Sequence, residues 1–109
     1  MTALATMAAL LTVFAGLLLV AGVMVARGTA QTAADLAALA AARSLLDGGP
    51  SPCGRAGAVA GANGAALVSC VAAGEEVTVT ARAPVVWGGR ATGLHAAANA
   101  RAGPEPPGN

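Results

Sequence analysis

Apolar and polar positions are unevenly distributed along this chain. The first 26 positions carry no charged side chain, and the first charge is Arg27. As a helix, the apolar run over residues 3–26 is roughly 36 Å long at ~1.5 Å per residue, enough to cross a hydrocarbon core of ~30 Å with some tilt. No basic side chain precedes the run, and it exceeds the roughly 7–15 residues of a signal-peptide core. Retention as a membrane anchor is therefore the expectation. Cleavage after the small residues Gly28 and Thr29, near Ala30, is the alternative. Past Arg27 the pattern stays helical but milder, with alanine dominant over residues 29–47 and Leu36, Leu39 and Leu46 at near-heptad spacing. Alanine has the highest helix propensity, so the two runs read as one helix of about 40 residues. A kink at Arg27 and Gly28 is the competing reading. Asp47, Gly48, Gly49 and Pro50 end the helix, since glycine closes a C-terminus and proline cannot continue one.

Ser51 and Pro52 then have the form of an N-cap followed by proline in the first turn, predicting a short helix over residues 53–62 that Asn63 and Gly64 end. A strand is predicted over 66–71, a tight turn over 73–75 and a second strand over 76–83. In the second strand Val77, Val79 and Ala81 alternate with Thr78, Thr80 and Arg82, which gives one buried and one solvated face. Pro84 is expected to interrupt it, leaving 85–87 as a short edge strand. Residues 90–101 read as weakly helical or extended, and 103–109 as a disordered tail. The predicted class is α+β: a long N-terminal transmembrane helix continuing into a small disulfide-stapled domain with a short helix and a β-hairpin. Its parts are an anchor (1–28), a helix extension (29–47), a small α+β head (48–102) and the tail (103–109).

Within the anchor, Ala8, Thr12, Ala15, Gly22 and Ala26 recur on one helix face, with Met7, Leu11, Phe14 and Leu18 opposite. Small side chains let helix backbones approach closely in lipid, so this face is predicted to pack on another membrane helix. The head is small, and Phe14 and Trp87 are the only aromatic residues of the chain. Its core must come from Ala, Val and Leu, and a domain of this size needs a staple. Cys53 and Cys70 are the only cysteines. In a chain with a membrane-export segment the pair favours a disulfide over two buried free thiols. Metal binding is not expected, because two thiolates need further ligands and His95 is the single histidine.

The formal charge of +1, with no basic stripe or aromatic platform, excludes nucleic acid as a partner class. The catalytic inventory is equally thin. His95 has no paired acid and nucleophile, and Asp35 lies eight residues from both Arg27 and Arg43. Glu75 and Glu76 would point to opposite sides of a strand, and the glycines at 54, 57, 61 and 64 do not follow a strand as a phosphate loop requires. No enzyme activity, cofactor or small-molecule substrate is predicted.

Val25, Ala26 and Arg27, the helical run from Gln31 through Asp35, Leu36 and Leu39 to Ala42, the cysteines around Asn63 and Gly64, and the strand at 77–80 together resemble the short actinobacterial TadE-like proteins. These are named for a neighbourhood of helicase and secretion genes. The resemblance extends over most of the chain. It implies a pseudopilin-like structural component of a tight-adherence pilus or related secretion system, acting by helix packing and protein contacts. The membrane and other TadE-like, pilin-like or Tad secretion components would be its partners. Pilin leaders commonly carry a basic segment ahead of the span and an early glutamate in it; here the first acid is Asp35. Arg27 on the C-terminal flank pulls that end toward the cytoplasm by the positive-inside rule, but one arginine soon balanced by Asp35 is a weak signal. The cysteine pair and the resemblance imply a single-pass protein of the cell membrane with its C-terminal domain extracellular. A small secreted binding or effector protein, released after cleavage near Ala30, and a single-span regulatory subunit with a cytoplasmic domain are the alternatives.

Overall fold

The apolar run and the alanine run form one uninterrupted helix, α1 (Thr2–Leu46), in the computed structural model, which describes residues 1–104. It passes through Arg27 and Gly28 without a break. At ~1.5 Å per residue its 45 residues account for nearly all of the molecule's 70 Å long axis. The end is built as the residues require. The Asp47 N–H donates to the carbonyl of Arg43, Gly48 takes a left-handed φ of 71°, and the Gly49 N–H donates to the carbonyl of Ser44.

Four shorter elements follow: α2 (Pro52–Ala62), β1 (Ala66–Ala73), β2 (Glu76–Trp87) and β3 (Arg90–Ala102). The strands form one antiparallel sheet in the order β1-β2-β3, and the α+β class is as expected. Ser51 caps α2, its hydroxyl accepting from the Gly54 N–H at 3.2 Å, with proline in the first turn. At the other end the Asn63 side-chain amide donates to the carbonyl of Val59, and Gly64 turns the chain with a φ of 77°.

The core is an alanine seam. Ala30, Ala33, Ala34, Ala37, Ala38, Ala41 and Ala42 are buried on one face of α1, against Ala56 and Ala60 of α2 and Val77, Val79 and Ala81 of β2. The near-heptad leucines face away from it, with Leu36, Leu39 and Leu46 exposed by 41%, 59% and 63%. A methyl side chain lets the sheet and the second helix lie close to the α1 backbone, which a leucine seam would hold apart. Cys53 and Cys70 form the expected disulfide, with Cα atoms 5.8 Å apart, tying the first turn of α2 to the middle of β1.

Two expectations for the sheet are corrected. Pro84 does not end β2, whose buried positions Val77, Val79, Ala81, Ala83 and Val85 keep their alternation through it. The reason lies in the pairing. The last partner of β1 is Ala66 opposite Arg82, so Pro84 has a neighbour on one side only, and it adjoins an irregularity in the β2–β3 ladder. There Thr92, Gly93 and Leu94 stand opposite the single residue Val85. The Thr92 hydroxyl stands in for the ladder, donating to the Val85 carbonyl at 2.8 Å and accepting from the Leu94 N–H at 3.1 Å. The second is one of extent: residues 90–101, read as weakly helical or extended, are a full strand, which adds a third strand to the expected hairpin. Gly88 and Gly89, both with positive φ, make the two-residue turn that joins Trp87 to Arg90. Of the expected disordered tail, Gly103 sits against Glu75 and Glu76, while 105–109 lie outside the described residues.

The seam leaves no room for larger side chains. Ala37→Leu is expected to destabilise the head by about 1–3 kcal/mol through overpacking, whereas Leu39→Ala on the exposed face stays within about 0.5 kcal/mol; denaturation of the two variants in detergent micelles checks the difference. Reduction of Cys53–Cys70 is expected to cost about 3 kcal/mol, since it frees the loop the bridge closes, and the same denaturation with and without a reductant measures it.

Candidate functional site

Before Ala15 every residue of α1 is exposed. Its most apolar 18-residue window has a mean hydropathy of 2.6 and none of it is buried, so the helix is long and apolar enough to cross a membrane. Leu4, Met7, Leu10, Leu11, Phe14 and Leu17 all project from the protein. The hydroxyls of Thr6 and Thr12 are satisfied within the helix, donating to the Thr2 and Ala8 carbonyls, both at 2.8 Å. That is the condition for placing them in lipid, where water is not available to do so.

The small-residue face divides in two. Ala15 is half-buried and borders a recess shared with Trp87 and Thr92, while Ala8 and Thr12 are exposed and open to a partner. Gly22 and Ala26 are not. A Cβ on Gly22 would lie 2.7 Å from the Val86 carbonyl oxygen, and Ala26 is buried with Val85 and Ala96. The expectation that the whole face meets another membrane helix is corrected there, because the protein's own β2–β3 hairpin occupies the groove. Periodicity alone could not separate the two uses, since a small residue accommodates a strand as readily as a helix.

The motif residues have structural partners. The Gln31 side-chain amide donates to Asp35 at 2.9 Å and to the backbone carbonyl of Asn99 in β3 at 3.3 Å. The Asn99 side chain in turn accepts from the Thr80 hydroxyl of β2 at 2.8 Å. A polar relay thus pins α1 to two strands along the edge of the alanine seam. Thr80 and Asn99 were not legible as its members, since nothing local marks a pair that cross-strand register brings together. Leu36 and Leu39 line a shallow cleft between α1 and α2, whose rim carries Arg43, Asp47 and Arg55. Asn63 and Gly64 serve the end of α2, Gly64 lying against Thr29 of α1.

The remaining titratable groups are dispersed. His95 is exposed on β3 opposite Pro84. Glu75 occupies the first hairpin turn, and Glu76 faces Arg101 across the sheet in an exposed pair at 3.8 Å that adds little stability. Among the described residues no three of His, Cys, Asp and Glu converge as metal ligands, and no buried side-chain polar atom lacks a hydrogen-bond partner. Surfaces left open include the exposed N-terminal part of α1, the cleft beside Leu36 and Leu39, and the exposed Val86, Trp87 and Leu94 near the end of the β2–β3 hairpin.

Gly22→Val is expected to push the β2–β3 hairpin off α1, raising hydrogen exchange at the amides of residues 85–94 while leaving α2 and β1 protected; Ala8→Val, on the open part of the face, leaves the exchange pattern unchanged. Comparison of the chain with protein-family models, with curated proteins and with solved structures finds no match.

Proposed function

We propose that this chain is a membrane-anchored, TadE-like or pilin-like structural component of a tight-adherence pilus or related secretion system. The observation that carries the reading is the division of labour along α1. One continuous helix presents an unburied apolar half of membrane length, and its other half forms the core of a small head. Proteins that build filaments or assembly platforms by bundling membrane helices need this arrangement, because the helix must serve lipid, neighbours and head at once. The open positions Ala8 and Thr12 supply the face on which a second helix packs. The disulfide supports a head on the oxidising side of the membrane.

Release by cleavage near Ala30 fits the packing poorly. Ala26 and Ala30 are both buried, and Gly22 carries Val86. Cutting there would strip the hairpin of its support and uncover Val85 and Ala96. The anchored reading keeps these contacts.

Labelling of intact cells with a membrane-impermeant maleimide tests the topology. Modification of a full-length chain only after reduction is the expected result; free thiols reached only once the membrane is breached would move the head to the cytoplasm and point to a regulatory subunit. Deletion of the protein is expected to abolish assembly of the pilus or secretion through the system, and assembly that continues undiminished would refute the structural role.

A further inference from the structure

The β2–β3 hairpin extends well beyond the rest of the head, back along α1 toward its N-terminus. Arg27 of α1 and His95 of β3 line one recess together with Val23 and Leu94, which marks a common polar level. From His95 the hairpin continues to Arg90, a distance that β2 covers in the three residues from Pro84 to Trp87, roughly 10 Å at ~3.3 Å per residue. Trp87 and Thr92 there line a second recess with Ala15, Gly16 and Leu19. Counted along the helix, those residues lie ~12–18 Å from Arg27. The shared recess therefore places the hairpin tip alongside the apolar half of α1.

That position fixes where a bilayer surface must run. If the tip stood in water, the hydrocarbon boundary would fall before Ala15, and the exposed side chains of Leu17, Leu18, Val20, Met24 and Val25 would all be stranded outside it. If the boundary ran at Arg27, Arg90 would be carried deep into hydrocarbon, where an arginine is costly. A boundary between these extremes, with the headgroup layer at the tip, holds Arg90 at phosphate level and keeps Leu17, Leu18 and Val20 at or below that layer. The composition of the tip suits that layer. Val86, Trp87 and Leu94 are exposed by 46%, 43% and 57%, and Arg90 is exposed at the adjoining turn position. From Val77 to Pro104 the sequence contains no acid, so the charges of the hairpin beyond Glu76 are all positive. Tryptophan with a flanking arginine is the combination that seats at the boundary of headgroups and acyl chains, the ring partly in the apolar layer and the guanidinium reaching phosphate.

We infer that the tip of the β2–β3 hairpin, through Val86, Trp87, Arg90 and Leu94, is a second membrane contact, seated in the headgroup layer of the leaflet facing the head and drawn to anionic phosphate headgroups by Arg90. The inference rests on the membrane-spanning reading of α1 and goes beyond it. It makes the head a lipid-binding unit whose hairpin sets the depth and tilt of the span.

Trp87 is the single tryptophan of the chain, which gives a direct test. The full-length protein is reconstituted in vesicles of phosphatidylcholine and phosphatidylglycerol containing lipids brominated either near the headgroup or near the chain end. A double variant, Phe14→Trp with Trp87→Phe, reports the span separately. The expected result is blue-shifted Trp87 emission quenched more by the shallow bromine than by the deep one, with the reverse order for the tryptophan at position 14. Arg90→Glu is expected to lose the shallow quenching in phosphatidylglycerol vesicles, and Arg90→Lys to retain it. Water-like Trp87 emission, open to iodide and untouched by brominated lipid while the position-14 reporter is quenched, would overturn the hairpin contact and leave the span intact. Stronger quenching of Trp87 by the deep bromine would also overturn it. Failure of both reporters to respond to lipid would refute the spanning reading and the hairpin contact together.

Discussion

Everything in this fold depends on how closely a strand and a helix can approach one side of α1. The side chains along that side are methyl groups, so the contacts lie near the helix backbone, and each alanine contributes little alone. The seam works by repetition: each turn from Ala26 to Ala42 adds one or two buried alanines against Val77, Val79, Val85 or the alanines of α2. Close-packed interiors of this kind gain from many short contacts and tolerate little change in volume. The disulfide and the polar relay through Gln31, Asn99 and Thr80 then secure a head that has only modest apolar volume to bury.

The same closeness links the head to the anchor. Because Gly22 carries no side chain, β2 continues past the alanine seam onto the start of the apolar half, and the boundary between anchor and head is not a point on the chain. A division at residue 28 follows the change in composition at Arg27; the packing follows small residues across it. The protein is better described as one helix clothed on a single side, over the part of its length where the side chains are small enough.

Much of this was legible in the sequence. The helix end at Gly48 and Gly49, the Ser51 cap, the Asn63–Gly64 turn, the alternation in β2 and the cysteine pair all declare themselves through local chemistry, and the structure follows them. The failures have physical reasons. β3 is built from alanine, glycine and asparagine, which have little strand propensity, and it is held by register with β2 and by the two-glycine turn. Pro84 reads locally as a break, but only the number of neighbouring strands decides whether a missing N–H matters. In α1 the leucines drew attention as the larger apolar side chains, yet the buried face belongs to alanine, whose abundance conceals its periodicity. The two uses of the small-residue face could not be told apart, because its sequence is the same whether a strand or a helix lies on it.

The unbroken course of α1 also makes the protein a lever. No glycine pair or proline gives it a hinge where it leaves the apolar half, so any lean of the lower arm reappears at the upper one. On the membrane-spanning reading, a tilt of ~20°, common for such helices, acts over roughly 28 Å of helix from Leu19 to the cleft beside Leu36 and Leu39 and carries that cleft sideways by roughly 10 Å. On that reading, the spacing between the outer surfaces of neighbouring copies would be decided within the bilayer, by how steeply each rod is planted.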